Sequence, residues 1–264
     1  MIETVLKRIA AGDFFLIAGP CVIESEEICF EVANAVAKLC AQHDIPYIFK
    51  ASYRKANRTS ASSYTGPGFD EGLAILLKIR NDLNLPILTD IHETTEIEAV
   101  AKVADILQIP AFLSRQTELL AAAGRTGRWV NIKKGQFLAP DDMQHAVKKT
   151  GAAKVMLTER GSSFGYHNLV VDFRSLLIMK QYGLTVFDAT HSLQLPSGAG
   201  SVSGGQPEFV IPMARAAVAV GVNGLFVETH PNPAAALSDS GSMLPLDRME
   251  ELLQNVMAIR KAGV

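Results

Sequence analysis

Eight short apolar runs, each followed by a segment of helical period, constrain this chain more than any other feature. They are FFLIAG at 14–19, YIFKA at 47–51, ILTD at 87–90, DILQI at 105–109, WVNIKK at 129–134, VMLTE at 155–159, TVFDA at 185–189 and GLFVET at 224–229. Strict alternation of polar and apolar residues is weak in most of them. Strands covered on both faces in a parallel sheet read this way. In 26–40, Ile28, Val32, Val36 and Leu39 share a helix face, Ser25 stands where an N-cap belongs, and Glu26 and Glu27 fall in the first turn. Near the end, Asp247 and Glu250 have capping-box spacing ahead of the stripe Leu252, Leu253, Val256 and Ile259. Helical patterns also cover 69–83, 94–103, 115–123, 141–149, 173–182 and 207–220. Eight βα units predict an α/β fold, a (β/α)8 TIM barrel forming one domain over 1–264, with a short N-terminal extension at about 1–13. The rival is a doubly wound open sheet, which announces itself with a Gly-rich turn after the first strand. Here that turn is Ala18-Gly19-Pro20-Cys21, which lacks the spacing. The stretch SGAGSVSGGQ at 197–206 reads as a flexible loop.

Composition closes off other classes. Of 264 residues, 48% are hydrophobic and 20% charged, so long disorder is not expected. The net charge of -2 lacks the basic footprint of nucleic-acid binding. No apolar run reaches the roughly 18 residues of a membrane span, and the first twenty residues lack the pattern of a signal peptide. Three cysteines do not suggest a disulfide framework. Cys29 and Cys40, eleven apart on one helix face, read as core. The expectation is a soluble, cytoplasmic protein.

In a barrel, chemistry gathers at the C-terminal ends of the strands. Those ends read Cys21, Lys50, Asp90, Gln108, Lys133, Arg160, His191 and Glu228, every one polar or reactive. Lys50, Lys55, Arg58, Arg115, Lys133, Lys134 and Arg160 lie on or just after strand ends. Such cations hold phosphate and carboxylate groups, and KANRTS at 55–60 adds an amide and two hydroxyls with no acid to balance them. A substrate with more than one anionic group fits this inventory, and no Walker A motif points to a nucleoside triphosphate. Cys21, His191, Glu228 and Asp239 belong to strand ends one, seven and eight, which adjoin once a barrel closes. They make a mixed donor set for Fe²⁺, Zn²⁺ or Mn²⁺. A cysteine after a strand is more often a small buried apolar side chain, so spacing alone leaves both readings open. His230, two residues past Glu228, is a candidate ligand or a supporting partner.

Blocks spread along nearly the whole chain resemble 3-deoxy-D-manno-octulosonate 8-phosphate synthases. They are IAGPCVIES at 17–25, FKASYRKANRTS at 49–60, TDIHE at 89–93, QIPAFLSRQTELL at 108–120, NIKKGQF at 131–137, TERGSSFGYHNLVVDFRS at 158–175, FDATHSLQLPSG at 187–198 and ETHP at 228–231. The resemblance implies a barrel, usually a homotetramer. It also implies a transferase that condenses phosphoenolpyruvate with arabinose 5-phosphate and water in lipopolysaccharide precursor synthesis. Cys21 marks the metal-dependent class, whose metal-independent counterpart has Asn there, and QLPSG agrees. The implied metal ligands are Cys21, His191, Glu228 and Asp239. Lys50, Asp90, His191 and Asp239 are the implied catalytic set. Lys50, Lys55, Lys133 and Arg160, with Gln108, are implied as the phosphoenolpyruvate cradle, and Asn57, Arg58 and Thr59 as the sugar-phosphate loop. Asp90 is implied on the sugar side, and Arg115 is implied to reach the sugar phosphate from a neighbouring subunit. Thr59 departs from the usual Ser, and Tyr53 and Arg54 from the usual Phe and Asp. The charge-poor helix around Leu119-Leu120-Ala121-Ala122-Ala123 reads as a buried subunit contact. Three rivals are a synthase using erythrose 4-phosphate, whose KPRTS-type loop differs from KANRTS, a Schiff-base aldolase on Lys133 activated by Lys134, and a non-catalytic sugar-phosphate-binding barrel.

Overall fold

The computed structural model describes residues 1–56, 63–199 and 202–263, with backbone alone at 197–199 and 202–203. The eight apolar runs become β1 (Phe15–Gly19), β2 (Tyr47–Lys50), β3 (Ile87–Asp90), β4 (Ile106–Ile109), β5 (Trp129–Lys133), β6 (Val155–Glu159), β7 (Leu184–Asp188) and β10 (Gly224–His230). They pair in parallel in chain order, and β10 closes on β1 from Phe15 against Gly224 to Gly19 against Glu228. A short β11 (Leu244–Pro245) extends the sheet beside the end of β10. The chain is a closed (β/α)8 barrel forming a single domain.

The helices are α1 (Ile2–Ala10), α2 (Glu26–Gln42), α3 (Phe69–Leu83), α4 (Ile97–Val103), α5 (Thr117–Arg125), α6 (Met143–Thr150), α7 (Arg174–Met179), α8 (Val210–Val220) and α9 (Met249–Lys261). Ser25 caps α2 as its sequence suggests, its hydroxyl accepting the Ile28 N–H at 3.3 Å. The capping box expected at Asp247 and Glu250 does not form. β11 runs to Pro245, so the chain turns through a 3-10 segment, Leu246–Arg248, that takes up Asp247, and Arg248 stands ahead of α9. Helix α5 turns its apolar side inward, burying Leu119, Leu120 and Ala123 in the chain's own core. The low charge of that helix is therefore satisfied within one barrel. Cys29 and Cys40 are buried in the same core.

Successive strand residues point to opposite faces of a sheet. Leu16, Phe49, Leu107, Val130 and Leu157 accordingly pack outward under the helices. Phe15, Ile17, Ile48, Leu88, Ile106, Trp129, Met156, Val186 and Phe226 form a second, inner core, closed from below by Ile9 of α1. Gly224 is needed there, because a Cβ at that position would lie 2.5 Å from the Phe15 ring. Two residues farther along the same inward rows stand Lys50, Asp90, Gln108, Asn131, Thr158, Asp188 and Glu228, all buried. The barrel therefore has an apolar floor and a polar upper half.

The segment that reads as a flexible loop contains a hairpin, β8 (Gln194–Ala199) and β9 (Val202–Gly205), with Gln194 opposite Gly205. Gly205 serves close approach, since a Cβ there would fall 2.4 Å from the Gly241 carbonyl oxygen. A strand that packs backbone against backbone carries no hydropathy signal. No helix among the described residues is long and apolar enough to cross a membrane.

Candidate active site

The mouth of the barrel is organised by two buried ion pairs. Lys50 Nζ donates to Glu228 Oε1 at 2.5 Å and to the Cys21 carbonyl at 2.8 Å. Lys133 Nζ donates to Asp188 Oδ2 at 2.7 Å and sits 4.0 Å from the centroid of the Phe226 ring. Asp188 Oδ1 accepts the backbone N–H groups of Thr190 and His191, while its Oδ2 lies 2.8 Å from His191 Nδ1. That grip turns His191 Nε2 toward Glu228 Oε2 at 3.5 Å and Asp239 Oδ2 at 3.7 Å. Asp188 is absent from the sequence-based candidates, although its place three residues before His191 at a strand end is an available signal. A carboxylate so placed fixes the tautomer and direction of a ligating imidazole.

Cys21 follows β1 and is buried, with Sγ 3.0 Å from both Asp239 Oδ2 and Ser238 Oγ. Ligand atoms of Cys21, Glu228 and Asp239 all lie within 4.8 Å of one another. Asp239 holds φ at +48°, a conformation rare outside glycine. Burial, then Asp239 and Glu228, push the Cys21 thiol well above its ordinary pKa. Burial opposes ionisation of Glu228, yet His191, Lys50, Lys55 and Lys133 hold it below the usual carboxylate range. Glu228 Oε2 is buried without a hydrogen-bond partner. A divalent cation would answer both features, giving a thiolate its counter-charge and the orphaned oxygen its partner. One sulfur, one imidazole and two carboxylates suit a borderline metal. The residues present therefore fit the implied ion. His230 stands apart from the cluster, its Nδ1 accepting the Asn232 N–H and its Nε2 3.7 Å from Glu24.

Lys50, Lys55, Asp90, Gln108, Lys133 and Arg160 line one pocket together with His191. Arg160 Nη2 donates to Gln194 Oε1 of the hairpin at 2.8 Å, whereas its buried Nη1 has no partner. Burial works against the Lys55 charge, but Cys21, Glu228, Asp90 and Asp239 raise its pKa above the ordinary lysine value. Asp90 is buried too, yet Lys50, Lys55, His92 and Lys133 keep it below the usual range. Asn57, Arg58 and Thr59 lie outside the described residues. Arg115 is exposed in a separate surface groove beside Glu93 and Gln116. Lys134, which an amine nucleophile at Lys133 would need as a neighbour, instead turns to the carbonyls of Gly135 and Leu138 and to Ser162 Oγ.

Tyr53 and Arg54, the two departures named above, act as a pair. Tyr53 Oη donates to Glu96 Oε2 at 2.8 Å, and Arg54 Nη2 lies 2.8 Å from Glu96 Oε1 and 3.2 Å from Glu93 Oε1. Glu96 Oε2 also accepts the His92 N–H at 3.1 Å. One carboxylate thus ties Tyr53 and Arg54, after β2, to the turn after β3.

The chain matches the DAHP synthetase I family over residues 4–262. It is 59% identical over 251 residues to the 2-dehydro-3-deoxyphosphooctonate aldolase of Azoarcus sp. (strain BH72), covering 93% of this chain and 90% of that protein. The protein of the same name from Koribacter versatilis (strain Ellin345) is 55% identical over 261 residues, with coverages of 97% and 94%. That from Cyanothece sp. (strain PCC 7425 / ATCC 29141) is 56% identical over 265 residues, with 98% and 97%. With its barrel, its cationic pocket and this near full-length likeness, the chain belongs to the DAHP synthetase I family.

Proposed function

We propose that this enzyme condenses phosphoenolpyruvate with D-arabinose 5-phosphate and water, yielding 3-deoxy-D-manno-octulosonate 8-phosphate and inorganic phosphate for lipopolysaccharide precursor synthesis. The observation that carries this reading is the convergence of Lys55, Lys133 and Arg160 on one pocket that also holds Asp90, Gln108 and His191. Two phosphorylated substrates, one also a carboxylate, need such a concentration of cations. The family description names a relative of this reaction, but relatives at 55–59% identity carry the octonate name, and KANRTS supports the longer aldose.

Lys133, Arg160 and Gln108 hold the phosphate and carboxylate of phosphoenolpyruvate, and Arg160 Nη1 offers a donor with no competing partner. Asp90 accepts from the sugar, while Asn57, Arg58 and Thr59 take its phosphate. The π electrons between carbons 2 and 3 of phosphoenolpyruvate form the bond from carbon 3 to the aldehyde carbon. Water adds at carbon 2 and gives one proton to the former aldehyde oxygen; the hydroxyl left on carbon 2 gives its proton to the departing phosphate as the C–O bond breaks and the ketone forms. Fixed cations stabilise the charge that gathers on the aldehyde oxygen and the departing phosphate. Cys21, His191, Glu228 and Asp239 would hold a divalent ion, which when bound would supply further concentrated positive charge. Burial of Lys50 and Glu228 keeps bulk water from screening these charges.

The same reading makes the enzyme cytoplasmic, where both substrates are found, and a homo-oligomer, most simply a tetramer in which Arg115 completes a neighbour's site. Exposed Arg115 and the exposed aromatic rings Phe112, Phe137, Phe164 and Tyr166, on loops after β4, β5 and β6, support a subunit contact at this rim. Phosphate release measured with arabinose 5-phosphate and with erythrose 4-phosphate, before and after chelation, tests the whole reading. Turnover should favour the five-carbon sugar, vanish on chelation and return to different extents with Mn²⁺, Fe²⁺ or Zn²⁺. Preference for erythrose 4-phosphate overturns the substrate, and full turnover by metal-stripped enzyme overturns the metal.

A further inference from the structure

A chain of buried side-chain hydrogen bonds crosses four strands, β6 to β3, and ends on Ser52 just past β2. Thr158 Oγ1 donates to Asn131 Oδ1 at 2.7 Å, Asn131 Nδ2 to Gln108 Oε1 at 2.8 Å, and Gln108 Nε2 to Asp90 Oδ1 at 2.6 Å. Ser52 Oγ closes the chain on Asp90 Oδ2. Strand register sets the spacing, since Asp90 is paired with Gln108 and Gln108 with Asn131 across adjacent strands. The run leaves none of these polar side chains unpartnered.

The direction of this chain follows from its end. An ionised carboxylate only accepts, so Gln108 must turn its N–H toward Asp90. Its carbonyl then faces Asn131, which must donate. Asn131 is left with its own carbonyl toward Thr158, whose hydroxyl must supply the last hydrogen. Two amides that could each flip are thereby held in one orientation by a charge one and two strands away. Hydrogen bonds aligned in one direction polarise one another.

We propose that Asn131 and Thr158 are positioning residues that lock Gln108 and Asp90 in the one arrangement in which Asp90 faces the substrate as an acceptor. Neither is among the residues that sequence resemblance implies. The proposal rests on the functional reading above for its kinetic consequence and on geometry alone for its energetic one.

The isosteric Thr158→Val removes the terminal donor and leaves Asn131 Oδ1 unpaired. It should lower kcat/KM for arabinose 5-phosphate about fivefold to tenfold, the scale of one net hydrogen bond, while Thr158→Ser stays within about twofold of wild type. A merely structural role would lower Tm and leave turnover per folded molecule unchanged. A second arm needs no activity. In an Asp90→Asn background the carboxylate no longer dictates polarity, so Thr158→Val should shift the urea midpoint much less than it does in wild type. Residues this far apart otherwise add independently. Wild-type kinetics in Thr158→Val, equal damage from Thr158→Ser, or strictly additive urea midpoints would each overturn the proposal. A wild-type enzyme inactive on these substrates would instead overturn the functional reading, and the urea arm would still decide the relay.

Discussion

The floor and the mouth of the barrel are built from the same strands, on the same inward rows, two residues apart. Ile48 precedes Lys50, Leu88 precedes Asp90, Ile106 precedes Gln108, Val186 precedes Asp188 and Phe226 precedes Glu228. Below, the side chains only fill space, closed by α1 and fitted around Gly224. Above, most inward side chains are ionised or hydrogen-bonded, and among the buried atoms left over, those of Arg160, His92 and Gln136 belong to residues that line the pocket and Glu228 Oε2 to the ligand cluster. The floor contributes stability through burial. The mouth holds buried charges whose desolvation is costly, and its groups are arranged for a ligand rather than for the fold.

That contrast predicts opposite phenotypes. The largest expected effect is on the floor. Phe15→Ala should cost about 3–5 kcal/mol of stability, as deletion of a buried aromatic ring does, with turnover per folded molecule retained. Denaturant unfolding and an active-site titration separate the two, and lost turnover in folded protein would erase the division. At the mouth, Arg160→Met should lower kcat/KM by roughly 10²–10³-fold, the scale of losing a preorganised charged donor. Its Tm should hold or rise, because an incompletely paired buried cation is removed.

Acid stability sharpens the comparison. The folded structure holds Asp90 below its unfolded pKa, so its contribution is present above about pH 4, the ordinary carboxylate range. It is lost as pH falls from there through the folded value. Urea midpoints from pH 7 to pH 3 should therefore decline more steeply in wild type than in Asp90→Asn. Parallel curves would remove Asp90 from the account. The smallest effect is expected at the edge of the mouth. Tyr53→Phe leaves the ring on Phe69 and deletes only the bond to Glu96. It should cost about 1 kcal/mol, read as a few-fold rise in KM for the sugar phosphate with kcat unchanged.

Much of this architecture is legible in the order of the residues. Strand limits follow the apolar runs to within a residue or two because strands buried on both faces are continuous in hydropathy. Cys21, Lys50, Asp90, Gln108, Lys133, Arg160, His191 and Glu228 stand out because a polar or reactive group at or just past the end of such a run has no packing role. Asn131 does not, lying in the middle of its run, and Asp188 and Thr158 are passed over because each stands ahead of the residue read as its strand end. The hairpin strands at 194–199 and 202–205 escape notice because Gly205 packs against backbone, where hydropathy gives no signal. The helix at 117–125 reads as a subunit contact, whereas its apolar side meets its own barrel.

Local periodicity and motifs contiguous in the chain suffice for the barrel, the family and the residue types offered at each strand end. They do not specify which inward side chains meet; that follows from closure and register. Closure sets β10 beside β1 and brings Glu228 to Lys50 and Cys21, while register sets Asp90, Gln108 and Asn131 in a row. The same closure joins Lys50 to Glu228, 178 positions apart, and Cys21 to Asp239, 218 positions apart. No local pattern encodes them, because the hydrogen bonds that fix them form only once the sheet has closed.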